Sequence, residues 1–292
     1  MPATPPSSRH HLRAPDLSLV ERICVAVCAW INLRPLPKRI QIQWQRWFGS
    51  AFVRGCVNEL LHIEGLDIAR RVPDDRGVLL CANHRSFFDL YIISTILVRN
   101  HVEFATRKLF PVRSNYFYES LVGLVINLIM GGGAMFPPMF RQKSRAELNK
   151  LSVDLIVDQL RTPKTLVGMH PEGTRGKGPD PYELMRAQPG VGRVALRSGA
   201  TVLPVWINGP TNSLRSQVVA NRRRPPRVDE RIVVVFGEPV DLEALRAEEP
   251  RPVVDLRASR LILARIAELG ERDRQLRQSF AGAPAHDVTP IR

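Results

Sequence analysis

The chain has 292 residues, 44% hydrophobic and 24% charged, with a formal net charge of +14. This balance excludes a chain too polar to bury a core, and the length allows one large core or two modest ones. The cationic excess points to an anionic partner: nucleic acid, an acidic membrane surface or a phosphate-bearing substrate.

Residues 1–16 form a Pro-, Ser- and His-rich tail that is expected to be disordered. Nothing in it resembles a signal peptide, so the chain reads as intracellular. An apolar helix is predicted from Leu17 to Leu33, interrupted by Pro35 and Pro37, with a second helix from about Lys38 to Leu61. The second mixes Trp44, Trp47, Phe48 and Phe52 with Arg39, Arg46 and Arg54. Together residues 17–62 read as an amphipathic helical hairpin. It suits a membrane interface, packing on the main domain, or both.

Strands are predicted at Ile63–Ile68, Val78–Ala82, Val102–Thr106, Thr165–Met169, Thr201–Ile207 and Arg231–Phe236, with Pro204 at an edge or a bulge. Helices are predicted at Phe87–Val98, Tyr118–Met130, Ser144–Leu160, Val191–Ser198 and Pro252–Phe280. Residues 120–140 are uncharged and long enough to span a bilayer, but Gly131–Gly133 and Pro137-Pro138 break them. They read as a core helix, a turn and a strand. The alternation indicates an α/β fold: a mixed, mostly parallel sheet flanked by helices, over residues 63–245. A C-terminal helical segment follows at 246–280 and a frayed tail at 281–292. A basic loop spans Arg222–Arg227.

The four cysteines, Cys24, Cys28, Cys56 and Cys81, are too few for a disulfide framework at this length. No His/Cys cluster has zinc spacing, so no metal is expected. Cys81 falls in an apolar strand and reads as a core thiol.

His-x4-Asp occurs three times: His11–Asp16, His62–Asp67 and His84–Asp89. Only the third lies in a strand–turn–helix context; after His62 no helix start is expected. On one continuous helix, five residues would set His and Asp roughly 140° apart. With His84 in the turn and Asp89 at the helix start, the carboxylate reaches the imidazole, as in a His general base oriented by Asp. A second polar loop leaves the strand Thr165–Met169. It carries His170, Glu172, Gly173, Thr174, Arg175 and Lys177. Such loops at strand C-termini are where open α/β sheets place their sites. Arginine grips phosphate bidentately, and glycine lets backbone N–H groups approach it. The order of a Walker A loop is missing.

Asn83-His84-Arg85-Ser86-Phe87-Phe88-Asp89 and Pro171-Glu172-Gly173-Thr174-Arg175, about 85 residues apart, resemble the first and third motifs of the glycerolipid acyltransferases, the lysophosphatidic acid acyltransferase group. Val202-Leu203-Pro204-Val205 resembles the fourth motif, and Ile63-Glu64-Gly65-Leu66 the strand before the first. The resemblance covers roughly residues 60–240. It implies acyl transfer from a thioester donor, acyl-CoA or acyl carrier protein, to a hydroxyl of a phosphate-bearing lipid at a membrane surface, without a metal or other cofactor. His84 would be the base and Asp89 its orienter. Glu172, Gly173 and Arg175, with Thr174 beside them, would bind the acceptor. The second motif departs from the family: Phe136-Pro137-Pro138-Met139-Phe140-Arg141 stands in its place. Arg141 is the candidate phosphate ligand there, with Arg145 as the alternative. His170 stands where the family commonly has an aromatic residue, and Gly176 where Ser is common.

The implied setting is the cytoplasmic face of a membrane, held peripherally or monotopically, with an anionic membrane surface and a lysophospholipid acceptor as partners and no nucleic acid. Lysophosphatidic acid, glycerol 3-phosphate and other lysolipids remain open as acceptors. The competing class is a non-catalytic basic protein binding membrane or nucleic acid on the same scaffold.

Overall fold

A computed structural model describes residues 17–223 and 226–282, with side chains to residue 280. The tail 1–16, the His11–Asp16 pair, most of 281–292 and two positions of the basic loop lie outside these residues.

Helix α1, Leu19–Leu33, starts at a reciprocal cap: Ser18 Oγ accepts the Glu21 amide and Glu21 accepts the Ser18 amide. Pro35 does not merely interrupt this helix. It opens α2, Pro35–Trp44, at the first helical position, where a missing N–H costs nothing. A π-helical turn at Gln45–Gly49 carries α2 into α3, Ser50–Val57.

Strand β1 is Leu61–Glu64, and helix α4 follows at Leu66–Arg71. This corrects both the predicted strand to Ile68 and the expectation that no helix follows His62. The cause is Gly65, at φ 73°, where an added Cβ would stand 2.3 Å from Phe236 O. Strand β2 is Val78–Ala82 and helix α5 is Asp89–Arg99. The predicted strand Val102–Thr106 is instead a 3-10 turn, Glu103–Ala105, and β3 follows at Arg107–Leu109. Phe104 and Ala105 are both fully buried, so this apolar run is a turn sunk in the core and not one face of a strand.

Strand β4, Val112–Arg113, helix α6, Ser114–Phe117, helix α7, Leu121–Gly131, and strand β5, Pro138–Met139, come next. β4 and β5 pair as a separate parallel ribbon. Helix α7 is not a core helix throughout. Gly123, Leu124, Asn127 and Gly131 face inward, but Leu121, Val122, Val125, Ile126 and Ile129 are exposed, Val122 by 70%. A helix apolar all round gives no sequence signal of which side is covered.

The remaining elements are α8 (Ala146–Leu160), β6 (Thr165–Met169), α9 (Pro189–Ser198), β7 (Thr201–Asn208), α10 (Leu214–Arg222), β8 (Ile232–Phe236), α11 (Glu243–Arg246) and α12 (Pro252–Gly282). The main sheet has the order β1-β8-β7-β2-β6-β3, parallel except for the β7–β8 pair. Pro204 is therefore in an interior strand, not at an edge. It is tolerated because the ladder to β8 starts only at Val205, leaving no hydrogen bond for Pro204 to donate.

Burial on β2 alternates with the pleat. Leu79 and Cys81 pack with α1, α8, α9 and α12, whereas Val78, Leu80 and Ala82 pack with α3 and α5. Each such buried Leu contributes about 1.5–3 kcal/mol. Both faces are thus covered, and the three parallel strands β2, β6 and β7 end at one edge, which brings the loops after Ala82, Met169 and Asn208 together.

Candidate active site

His84 leaves β2 one residue after Asn83, which fixes the loop's starting point. The buried Asn83 side chain donates to Ile207 O and accepts from Ile207 N, both at 2.8 Å, tying the end of β2 to β7. From there, the chain turns so that Asp89, the first residue of α5, looks back at the turn. Asp89 Oδ2 lies 3.1 Å from His84 Nδ1 and accepts the amides of Arg85 and Ser86, each at 2.8 Å. Three donors on one oxygen fix the carboxylate, and an ionised carboxylate requires Nδ1 to be the protonated nitrogen of His84. Nε2 then carries the free lone pair.

Burial of Asp89 is complete, which raises its carboxyl above the ordinary range; the charge of His170 and the two amides oppose this. His84 is pushed down, chiefly by burial and then by the positive charges of Arg175 and Arg113. Its imidazole is therefore neutral near pH 7.

The second loop closes over the first. Glu172 is turned inward and 1% exposed. Its Oε1 accepts the His84 amide at 2.8 Å and its Oε2 the Met185 amide at 2.7 Å. Both carboxylate oxygens are thus engaged with the backbone, and neither points to open space where an acceptor would lie. Gly176 N donates to His84 O at 2.9 Å, adding a backbone link. Gly173 takes φ 62°, a conformation that favours glycine, and its carbonyl accepts Arg113 at 2.7 Å. Thr174 is half-buried beside it.

Arg175 stands at the mouth, its guanidinium 4.2 Å above the Phe87 ring and 2.9 Å from Asn212 Oδ1. That uses one of five N–H donors and leaves the others for an anion. His170 stacks on His84, ring centroids 3.9 Å apart and planes 9° off parallel, with its Nδ1 2.9 Å from Ala82 O. A carbonyl only accepts, so His170 Nδ1 is the protonated nitrogen here too.

Of the two second-motif alternatives, Arg145 is committed elsewhere. It forms an ion pair with Glu21 of α1 and lies over Phe140. Arg141 is exposed, and its charge helps to lower Arg113 after burial. The β4–β5 ribbon sets Arg113 opposite Met139, two residues from Arg141. Arg113 and Arg175 therefore share the neighbourhood of His84, and Arg141 lies near Arg113. Arg113 and Asn212 were not candidates in the sequence. Arg113 sits in a two-residue strand without a motif, and Asn212 follows β7 in an unremarkable loop; neither position carries a spacing that marks it.

His84, Asp89 and His170 form the one group of potential metal ligands that converge among the described residues, with candidate atoms within 4.8 Å. Asp89 Oδ2 and the Nδ1 atoms of both histidines are engaged in hydrogen bonds, and Asp89 Oδ2 meets His84 on the side away from Nε2. The set is thereby arranged as a base and its support. Cys81 is fully buried, and burial pushes its thiol far up, out of nucleophilic range.

Comparison with known proteins adds two findings and one blank. Residues 63–208 match the family model described as Acyltransferase. Among solved structures, the crystal structure of the 1-acyl-sn-glycerophosphate (LPA) acyltransferase PlsC from Thermotoga maritima is similar, with a TM-score of 0.47 and 16% sequence identity, covering 86% of this chain and 95% of that one. No curated protein matches the sequence.

Proposed function

The chain belongs to the acyltransferase family, and from that premise we propose that it moves a fatty acyl group from an acyl thioester to a hydroxyl of lysophosphatidic acid or a similar glycerophospholipid, as a step of phospholipid biosynthesis. The observation that carries the reading is the His84–Asp89 contact of 3.1 Å, with Arg175 and Arg113 close enough to act on His84. His84 Nε2 takes the proton from the acceptor hydroxyl as its oxygen attacks the thioester carbonyl, and the thiolate of the donor leaves. Asp89 holds the tautomer and offsets the charge of the imidazolium. Arg175, Arg113 and Arg141 hold the phosphate, so that the hydroxyl meets the base aligned. Glu172 and Gly173 serve as positioning residues that keep the two loops in register.

The same cations tune the base. In the free enzyme Arg175 and Arg113 depress His84. A bound phosphate offsets their charge, so acceptor binding raises the basicity of the group that must deprotonate it.

The proposed place of work is a membrane surface, reached from the cytoplasmic side. The exposed apolar side chains Leu19, Trp30, Leu36, Ile40, Trp47 and Val122 belong to α1, α2, the π turn and α7. These elements form one body. Trp44 Nε1 donates to Ile129 O, Gln45 Nε2 to Gly131 O, and Gln41 Nε2 to Gly132 O. Buried Lys38 joins Asn32 to Lys108 O beneath them. Burial of the Lys38 and Gln45 contacts makes them expensive to break. Large apolar faces of this kind mark interaction sites, and Trp beside Arg suits the headgroup region of an anionic bilayer. Among the described residues no helix is long and apolar enough to cross a membrane. A panel of lysophosphatidic acid, other lysophospholipids and glycerol 3-phosphate, each offered with one labelled acyl thioester, tests the proposal. Transfer to a phosphate-bearing lysolipid is expected, and no transfer to any of them would refute it.

A further inference from the structure

Helix α12 carries six arginines, and five are ion-paired: Arg257 with Glu248, Arg265 with Glu268, Arg272 with Glu64, Arg274 with Glu271 and Arg277 with Asp273. Arg260 is the exception; among the described residues no carboxylate pairs with it. It faces a groove of about 690 Å³ between α12 and the segment that runs from the second active-site loop into α9. Arg186, equally without a carboxylate partner, lines the opposite wall. Leu184, Leu256, Leu263 and Ala264 supply an apolar lining, and no acidic residue contributes to it.

The groove adjoins the chemistry. Its wall segment contains Met185, whose amide is held by Glu172, and Gln188, whose amide donates to Pro171 O at 2.8 Å. Glu172 in turn holds the amide of His84, so two hydrogen bonds separate the groove wall from the base.

We propose that this groove seats the nucleotide end of coenzyme A as the acyl donor; this rests on the reading of the site as one for thioester acyl transfer. Arg186 and Arg260 meet phosphates of the adenosine 3′,5′-bisphosphate and pyrophosphate groups, and the leucines lie against the adenine. The pantetheine arm then runs past Met185 toward His84. Size and charge favour this occupant. Small-ligand sites measure roughly 300–1,000 Å³, whereas a carrier protein engages about 800 Å² on each partner. Two unpaired cations over an apolar floor complement a phosphorylated purine.

The test is calorimetric titration of the full-length protein with adenosine 3′,5′-bisphosphate and with free coenzyme A. Both are expected to bind. The double substitution Arg186→Glu/Arg260→Glu should weaken both about 100-fold or more, since charge-assisted contacts are lost and repulsion replaces them. Ala264→Trp, which fills the groove without touching charge, should weaken them as well. Circular dichroism of both variants should be unchanged, because the substituted residues are exposed. Unaltered affinity in both variants, or no binding of either compound by a protein that accepts acyl groups from acyl carrier protein, would overturn the proposal. Binding is read without turnover. Coenzyme A bound through these arginines by a protein that transfers no acyl group would uphold the groove and refute the reaction.

Discussion

Glu172 holds the backbone amide of His84 at 2.8 Å, and through its other oxygen the amide of Met185. One buried carboxylate thus joins the loop of the base to the loop of the arginine and to the segment beyond it. Replacing it with Gln keeps one accepting oxygen and turns an NH2 toward the other amide. Leaving a buried amide unsatisfied costs about 1–3 kcal/mol. Glu172→Gln is expected to lower stability by that amount in denaturant titration and to reduce turnover. Unchanged stability would show that the clamp is not needed.

Asp89 accepts three donors on Oδ2, one of them His84 Nδ1. Asp89→Asn can present an NH2 there and favour the opposite His84 tautomer. On the precedent of His–Asp pairs, a loss on the order of 10⁴-fold in kcat is expected. Steady-state kinetics check this, with KM for the acceptor moving much less. A loss below about tenfold would mean that Asp89 does not set the tautomer.

The pH profile follows from the signs of the shifts. The base must be neutral, so activity falls as pH drops through the pKa of His84. In the free enzyme burial, Arg175 and Arg113 hold that pKa down. The acid limb of kcat/KM should therefore be that of the coupled pair, set by Asp89, whose carboxyl burial raises to about 6 and Arg175 holds down. In the acceptor complex the phosphate offsets the arginines, and the acid limb of kcat should lie at higher pH. Arg175→Met removes one positive charge and should move the kcat/KM limb up in pH. A limb that stays in place or moves down would contradict the assignment.

The exposed face of α7 predicts membrane dependence. Val122→Glu with Ile126→Glu places two carboxylates among residues 70% and 46% exposed. Flotation with vesicles of anionic phospholipid should fall severalfold while the fold, read by circular dichroism, is kept. Undiminished flotation would remove α7 from the contact surface.

The His84 turn was legible in sequence because its geometry is local: a strand, a break and a carboxylate at the next helix start. So was the mixed sheet, since its apolar runs have strand length. Long-range pairings were not legible. Pro204 read as an edge or bulge residue because its tolerance depends on where the β8 ladder begins. Val102–Thr106 read as a strand because a buried 3-10 turn is as apolar as one. Arg113 reaches His84 only through the β4–β5 ribbon and Gly173 O, and no spacing in the chain announces that. Arg145 stood as the alternative to Arg141, and only its ion pair with Glu21, far away in sequence, removes it.

The central claim is that His84 Nε2 deprotonates the acceptor hydroxyl. The direct measurement is single-turnover acyl transfer from labelled acyl-CoA to lysophosphatidic acid in vesicles, comparing the unaltered protein with His84→Ala, with acceptor binding measured on both. A positioned general base is worth about 10²–10⁴-fold. The account predicts a fall of that size in the transfer rate, with acceptor affinity largely kept by the arginines. Transfer by His84→Ala at the unaltered rate would contradict it.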